Sequence, residues 1–321
     1  MIRIQSLLLL FFIIGRPIIT RSQTASYKNE FGFRSDNDAY LAVGQDRYYT
    51  NGLFITFRHA VDQSRLNATV NKGIWEVEAG QKIYNPYSGF VNDNDRIDRP
   101  FAGYLYGGGS MNWFYNSERN LKLSVQLGTI GPSSLAEKGQ TLLHNTVGFY
   151  KLRGWETQIR DELGVNIVAE YNYLLHRGSA KKTDFTLQSN ARLGNTFSSA
   201  GVGLLFRAGK LNQLFNSATT SSNISNNDKT EPLSDTESFF YSSPSLSFIA
   251  YDATIQGGLF SNIENPVTFG VKPLVFQQQL GFMYSKQRWT VDLSLVFRSK
   301  EIKSIAKAQQ YGSAALYYRF N

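Results

Sequence analysis

Leu121-Lys122-Leu123-Ser124-Val125-Gln126-Leu127-Gly128-Thr129 is the stretch that decides the fold. Leu121, Leu123, Val125, Leu127 and Thr129 fall on one face, and Lys122, Ser124, Gln126 and Gly128 on the other. Successive strand side chains point to opposite sides, so this is a strand with one apolar and one polar surface. In 289–298, Trp289, Val291, Leu293, Leu295 and Phe297 alternate with Thr290, Asp292, Ser294, Val296 and Arg298. In 184–193, Phe185, Leu187, Ala191 and Leu193 alternate with Asp184, Thr186, Gln188, Asn190 and Arg192. Residues 74–79 set Trp75, Val77 and Ala79 against Ile74, Glu76 and Glu78.

Alternation alone also suits a soluble sandwich. The segments, though, run about 9–14 residues, above the ordinary strand length and near what a tilted strand needs to cross a bilayer. Strands are expected near 27–35, 51–60, 72–84, 101–113, 120–130, 162–174, 182–193, 197–208, 244–256, 271–285, 287–299 and 309–320. That set is even in number, as a single-chain bacterial barrel requires, and it ends on Leu316, Tyr318 and Phe320. An all-β, twelve-stranded antiparallel transmembrane barrel is therefore favoured over the sandwich.

The termini and composition agree. Arg3 precedes the apolar run Leu7 to Ile14, too short for a membrane helix and suited to a signal peptide over 1–24, which leaves 25–321 as one barrel domain. The 321 residues include no Cys, which excludes disulfides and thiolate chemistry, and 14% aromatics, which suits interfacial girdles. The net charge of +8 is scattered rather than concentrated, so no nucleic-acid partner is expected; a phosphorylated membrane surface fits it equally well.

Two segments depart from strand patterning. Over 133–147, Ser133 and Ser134 can cap, Glu137 follows three residues after Ser134, and Leu135, Leu142, Leu143 and Val147 fall at helical spacing. A short helix within a long loop is expected. Residues 216–238 are rich in Ser, Thr, Asn and Asp and read as a flexible loop. With the N-terminus in the periplasm, connectors 36–50, 85–100 and 131–161 face outward, and 209–243 is a long exception on the periplasmic side.

The three outward connectors hold most of the chemically capable residues. They are Asp36, Asn37 and Asp38; Asp46 to Gly52, with Thr50; Asp98 and Arg99; and Gln140, His144, Trp155, Gln158 and Glu162. A His that takes a proton from water, carboxylates or amides that orient it or bind a cation, and an Arg that steadies an oxyanion would make a hydrolase. Singly, each has a plainer explanation. Asn and Asp start turns, Thr50 suits a strand start, Arg99 a solvated loop charge, and His144 a polar helix face. His59 and His176 have weaker claims, in a strand and at a turn. Joint placement on one rim favours function.

The runs Asn37-Asp38, Asp46-Arg47-Tyr48-Tyr49-Thr50-Asn51-Gly52, Gln81-Lys82-Ile83-Tyr84-Asn85-Pro86, Asp98-Arg99-Pro100-Phe101-Ala102-Gly103, Gln140 to His144, and Gly154-Trp155-Glu156-Thr157-Gln158 resemble the outer-membrane lipid A 3′-O-deacylase family. Arg192-Leu193-Gly194-Asn195 and Arg298-Ser299-Lys300-Glu301 extend the resemblance along the mature chain. The resemblance implies calcium-dependent removal of the 3′-linked acyloxyacyl group from lipid A of lipopolysaccharide. It places the enzyme in the outer membrane of a Gram-negative bacterium, its site facing the cell exterior. It implies His144 as general base, Asn37 and Asp38 as site and metal residues, Thr50 as a site hydroxyl and Arg99 as a basic residue near substrate. The expected site Tyr falls on Tyr150, and Asp98 stands where the family pattern has Lys. Oxygen ligands from Asn37 and Asp38 suit Ca2+, and Arg47 and Arg99 suit lipid phosphates. A monomer is expected. The competing readings are a passive or degenerate barrel (pore or structural protein) and a barrel phospholipase.

Overall fold

Twelve antiparallel strands close into one barrel in simple sequential order, β1 meeting β12 from Asn29↔Phe320 to Asn37↔Gly312. They are β1 (Asn29–Asn37), β2 (Tyr48–Ala60), β3 (Val70–Asn85), β4 (Ala102–Tyr115), β5 (Arg119–Ile130), β6 (Glu162–Arg177), β7 (Thr183–Gly194), β8 (Phe197–Lys210), β9 (Thr236–Asp252), β10 (Leu274–Lys286), β11 (Trp289–Arg298) and β12 (Gln309–Phe320). The computed structural model describes residues 26–41, 46–91, 97–227, 230–261 and 263–321. The expected signal peptide lies outside the described residues.

Which face points where separates a barrel from a sandwich. Phe31, Phe33, Leu123, Val125, Leu127, Val165, Ile167, Leu293 and Leu295 are all exposed on the outside. The inside is polar and charged. Arg58 bonds Glu30 at 2.7 Å and also Glu76, and Lys122 reaches Glu76 at 2.8 Å. Apolar outside and polar inside is the arrangement of a barrel that sits in lipid, because closure satisfies the backbone while the outer band meets hydrocarbon. The sandwich reading is excluded.

Strand edges differ from the sequence reading most at β9, which starts at Thr236 instead of 244. The long connector before it is nonetheless real, and it is not a loose loop. Leu211, Phe215, Ala218 and Ile224 are buried against Ile74, Phe114, Leu205, Phe239 and Met283 of the barrel interior, and Leu214 is fully buried as well. Lys72 Nζ donates to Asn216 Oδ1 at 2.9 Å and to the Ser222 carbonyl at 2.6 Å. The Asn223 amide meets the Ser285 and Thr290 hydroxyls at 3.1 Å. This segment is a plug that reaches from β3 to β11 across one end of the lumen. Its few apolar residues were enough because the barrel supplied the polar partners that a solvated loop would take from water.

The helix α1 (Ala136–Val147) lies at the other end, after a 3-10 turn at Pro132–Ser134. The expected serine cap does not form. Leu135 takes the N-cap position with φ 58°, while Ser134 Oγ donates to the Gly131 carbonyl at 2.5 Å. The hydroxyl is drawn away because this turn packs tightly on β4: a Cβ on Gly103 would lie 2.0 Å from Ser134 Oγ and 2.3 Å from Ala136 Cβ. Only glycine permits that approach. Gln81, beside it on β3, donates to the Ser134 carbonyl at 2.7 Å. The neighbouring positions Lys82 and Tyr104 point the opposite way, into the lumen, so α1 rests on the outer side of the wall.

Candidate active site

Two backbone irregularities build the site. The β2–β3 register shifts between Tyr49 and Asn51, and Tyr48 has φ 61°, so Thr50 sits in a bulge and is fully buried. A bulge of this kind re-aims a side chain that a regular ladder would send elsewhere. At the end of α1, Gly148 adopts φ 76° and closes a left-handed C-cap. That reversal brings Phe149 and Tyr150 back over His144, with ring centroids at 5.4 and 5.0 Å and both rings edge-on.

His144 is 2% exposed. Its Nδ1 lies 2.8 Å from the Tyr150 carbonyl, which can only accept, so Nδ1 carries a proton. Nε2 then faces Asp46, 3.4 Å from Oδ2. Tyr150 donates its hydroxyl to the same carboxylate, and the Gly89 N–H donates to the Tyr150 hydroxyl at 3.2 Å. The imidazole is thus held in one orientation with its reactive nitrogen beside an anion.

Asp38 joins this cluster through Thr50. The Thr50 hydroxyl is 3.1 Å from Asp38 Oδ1 and 3.3 Å from Asp46 Oδ1. One hydroxyl has one proton, so it can serve only one of the two carboxylates at a time. Asp38 also accepts the Arg47 N–H at 3.0 Å. Asn37 is pinned: its amide donates to Asn51 Oδ1 at 2.5 Å, and its Oδ1 accepts the Ala39 N–H at 2.7 Å.

The electrostatics follow from this crowding. Burial, and then the charge of Asp46, push the Asp38 carboxyl up to about 7, against the bonds from Arg47, Thr50 and Ala39. Burial works against ionised Asp46 as well, but hydrogen bonds from His144 and Tyr150 outweigh it and hold that carboxyl below its usual range. Burial pulls the His144 imidazole down. Its bonds to Asp46 and Tyr150 and the Asp46 charge more than offset that, so His144 titrates above 6.5. His144 and Asp46 shift in opposite directions, as one coupled pair should.

Asp38, Thr50, His144 and Tyr150 are therefore brought together through Asp46, and Asn37 joins them at one remove, through Asn51, whose amide donates to Thr50 Oγ1 at 3.4 Å. Arg99 is placed elsewhere. It is 1% exposed, stacks on Tyr84 at 4.2 Å, donates to Thr254 Oγ1 at 3.0 Å and lies 3.6 Å from Glu301. Asp98 accepts from the Tyr48 hydroxyl and the Tyr87 N–H, both at 2.8 Å, and so ties two connectors together. Asp46 has no role of its own in the sequence reading, although it opens the run through Gly52. Gln140, one helical turn before His144, is fully buried. Its Oε1 accepts from Trp155 at 3.1 Å, and its Nε2 has no hydrogen-bond partner among the described residues.

The donor set can be tested against a calcium ion. Among the described residues no three His, Cys, Asp or Glu side chains group as a metal site. A zinc-type cage is not built here. A carboxyl at about 7, sharing one hydroxyl with a second carboxylate, is instead a pocket of surplus negative charge lined by oxygen. That fits a hard cation whose remaining ligands are amide or carbonyl oxygens and water.

A family model described as outer membrane protein LpxR matches residues 6–320. The solved structure of LpxR from Salmonella typhimurium is similar to this chain at 17% identity and a TM-score of 0.72, covering 91% of this chain and 100% of that one. At that identity the likeness establishes the fold. The β domain of the Bordetella autotransporter BrkA is 10% identical, with a TM-score of 0.45, over 92% of this chain and 100% of that one. No curated protein matches.

Proposed function

We propose that this chain, which belongs to the LpxR family of outer membrane proteins, is a lipid A deacylase that hydrolyses the 3′-linked acyloxyacyl ester at the outer end of its barrel. The observation that carries the reading is the cluster of buried His144 with half-buried Asp46 and Tyr150 of the site's exposed edge, beside buried Asp38 and Thr50, outside the barrel wall and under α1. An ester in the outer leaflet reaches such a site without leaving the membrane. A barrel oriented with α1 at the cell surface meets that leaflet.

In this reaction His144 Nε2 removes a proton from water, and the resulting hydroxide attacks the ester carbonyl. The imidazolium is stabilised by Asp46. The tetrahedral intermediate collapses by breaking the bond to the sugar oxygen, which takes the proton back from Nε2, and the fatty acid leaves. Tyr150 and Thr50 hold Asp46 in place. The unpaired Gln140 amide, on the same helix face as His144, is the donor of this chain best suited to the developing oxyanion. Asp38, with the Asn37 amide oxygen, would hold calcium, which when bound supplies Lewis-acid stabilisation of that oxyanion.

The buried role of Arg99 argues against its gripping substrate directly; it steadies the connector that carries Asp98. Against the passive-pore alternative stands the plug, which occupies the opposite end of the lumen. The decisive measurement is mass analysis of lipid A from a host without such an enzyme, expressing this chain. Loss of the acyloxyacyl mass supports the reading. Unchanged lipid A from a folded barrel with calcium present overturns it, and lysophospholipid release in its place would identify a phospholipase.

A further inference from the structure

Inside the wall, beneath the α1 end, lies a cavity of about 260 Å³ between β1, β2, β3 and β10–β12. It is several times the roughly 30 Å³ that one water occupies in the liquid. Its lining is unusual in what it leaves unpaired. The Lys82 ammonium makes no hydrogen bond or ion pair among the described residues. It sits 6.0 Å from the centroids of both Phe54 and Phe197. Arg34 stacks on the same Phe54 ring at 4.0 Å, and its buried Nε has no hydrogen-bond partner. Arg298 also enters the lining, 3.1 Å from Glu301 but with Nε outside hydrogen-bonding geometry.

Neutral donors face the same space. Tyr84, Tyr311 and Gln277 line it. The one carboxylate in the lining is Asp36, and its oxygens are already engaged by the Tyr49 hydroxyl at 2.8 Å and Ser313 Oγ at 2.7 Å. Its charge is opposed by Arg34 at 3.7 Å. The lining thus has three cations against one occupied carboxylate. Elsewhere in the lumen the cations are closed off by carboxylates, as in the buried Arg58–Glu30–Glu76 group, whereas these three side chains are partly exposed to the cavity. Here the charges and donors converge on open space.

We infer that this cavity is a binding site for a phosphate-class oxyanion, held chiefly by Lys82 and Arg34. Several acceptor oxygens on one doubly charged centre match an ammonium, a guanidinium fork and phenol and amide donors at once. The site lies across the wall from the His144 cluster and stands independently of the hydrolase reading. The anion arrives either free in solution or as the phosphate ester of a headgroup that enters at the rim.

The test is equilibrium binding of radiolabelled inorganic phosphate to the folded, detergent-solubilised barrel at fixed ionic strength. Wild type should bind saturably, with displacement by excess unlabelled phosphate and not by equal chloride. Lys82→Gln should weaken binding about tenfold, the scale of one charge-assisted hydrogen bond, while Lys82→Arg should retain it. Heat-modifiable gel migration establishes that each variant is folded. Vesicles containing a diphosphorylated glycolipid form the second arm: competition with free phosphate identifies the headgroup as the source, and its absence leaves the free anion as ligand. No saturable binding, displacement by chloride, or undiminished binding by K82Q overturns the site.

Discussion

The two ends of the barrel treat buried charge in opposite ways. At the plug end, Arg207 donates to Asp184 at 2.9 and 2.7 Å and to Ser217 at 2.7 Å, and lies 3.4 Å from Glu237. Arg177 bridges Asp184 at 3.1 Å and Glu118 at 2.6 Å, and Glu118 in turn accepts the Leu214 N–H at 2.9 Å. Each charge of this group has an opposite charge, and the network ties the plug to β6 to β9 and to the β4–β5 turn. At the α1 end, two carboxylates share one hydroxyl, Gln140 keeps an unpaired donor, and Asp38 titrates near neutrality. Saturated networks hold shape, while the unsatisfied one has capacity left for a substrate, a proton or an ion.

That contrast can be broken by removing the central cation or base from each end. His144→Ala should lower deacylation by about 10²- to 10⁴-fold, the range of a general base, and leave the heat-modifiable migration of the barrel unchanged. Fatty-acid release equal to wild type would remove His144 from the chemistry. Arg207→Ala should do the reverse. It strands Asp184 and Glu237 and should destabilise the barrel by about 3–5 kcal/mol, read as a lower urea midpoint, with activity retained by the fraction still folded. A variant as stable as wild type would show that the plug network is not what holds that end.

A subtler variant sharpens the electrostatics. Catalysis needs neutral His144, whose pKa is raised, so the acidic limb of the kcat profile should lie above pH 6.5, with activity rising as pH increases through it. Asp46→Asn removes the main cause of the rise. The limb should then move to lower pH while kcat falls, because the imidazolium loses its counter-charge. An unmoved limb would separate Asp46 from the base. The same pair also bears on stability: its contribution is complete between about pH 4 and 6.5, the unfolded values of Asp and His, fades as pH climbs through the raised folded value of His144, and is lost in acid as pH falls through the lowered folded value of Asp46. Smallest of all should be Ser134→Ala, which removes one bond to the Gly131 carbonyl and should cost about 1 kcal/mol near α1, with little change in turnover.

The barrel was legible because its outer face obeys a strict two-residue period, as in Leu123, Val125 and Leu127, and lipid contact enforces that period along every strand. The grouping of Asn37, Asp38, Thr50 and His144 was legible only through their order on alternate connectors. Asp46 escaped because its importance depends on Gly148 turning Tyr150 back across more than a hundred residues, a long-range fact absent from any local pattern. The plug escaped for the converse reason. Its serines and asparagines look like solvated loop residues, and only Lys72 and Arg207, far away in sequence, turn them into interior ones. Ser134 was misassigned as a cap because the approach at Gly103 redirects its hydroxyl.

The obstruction made by residues 211–227 has a consequence for the cell. A lumen stoppered at one end is a cul-de-sac: a small solute that enters from the α1 mouth must leave by the same door. For a salt or a sugar to cross such a cylinder, the chain packed on Ile74, Phe114 and Phe239 would have to be displaced first.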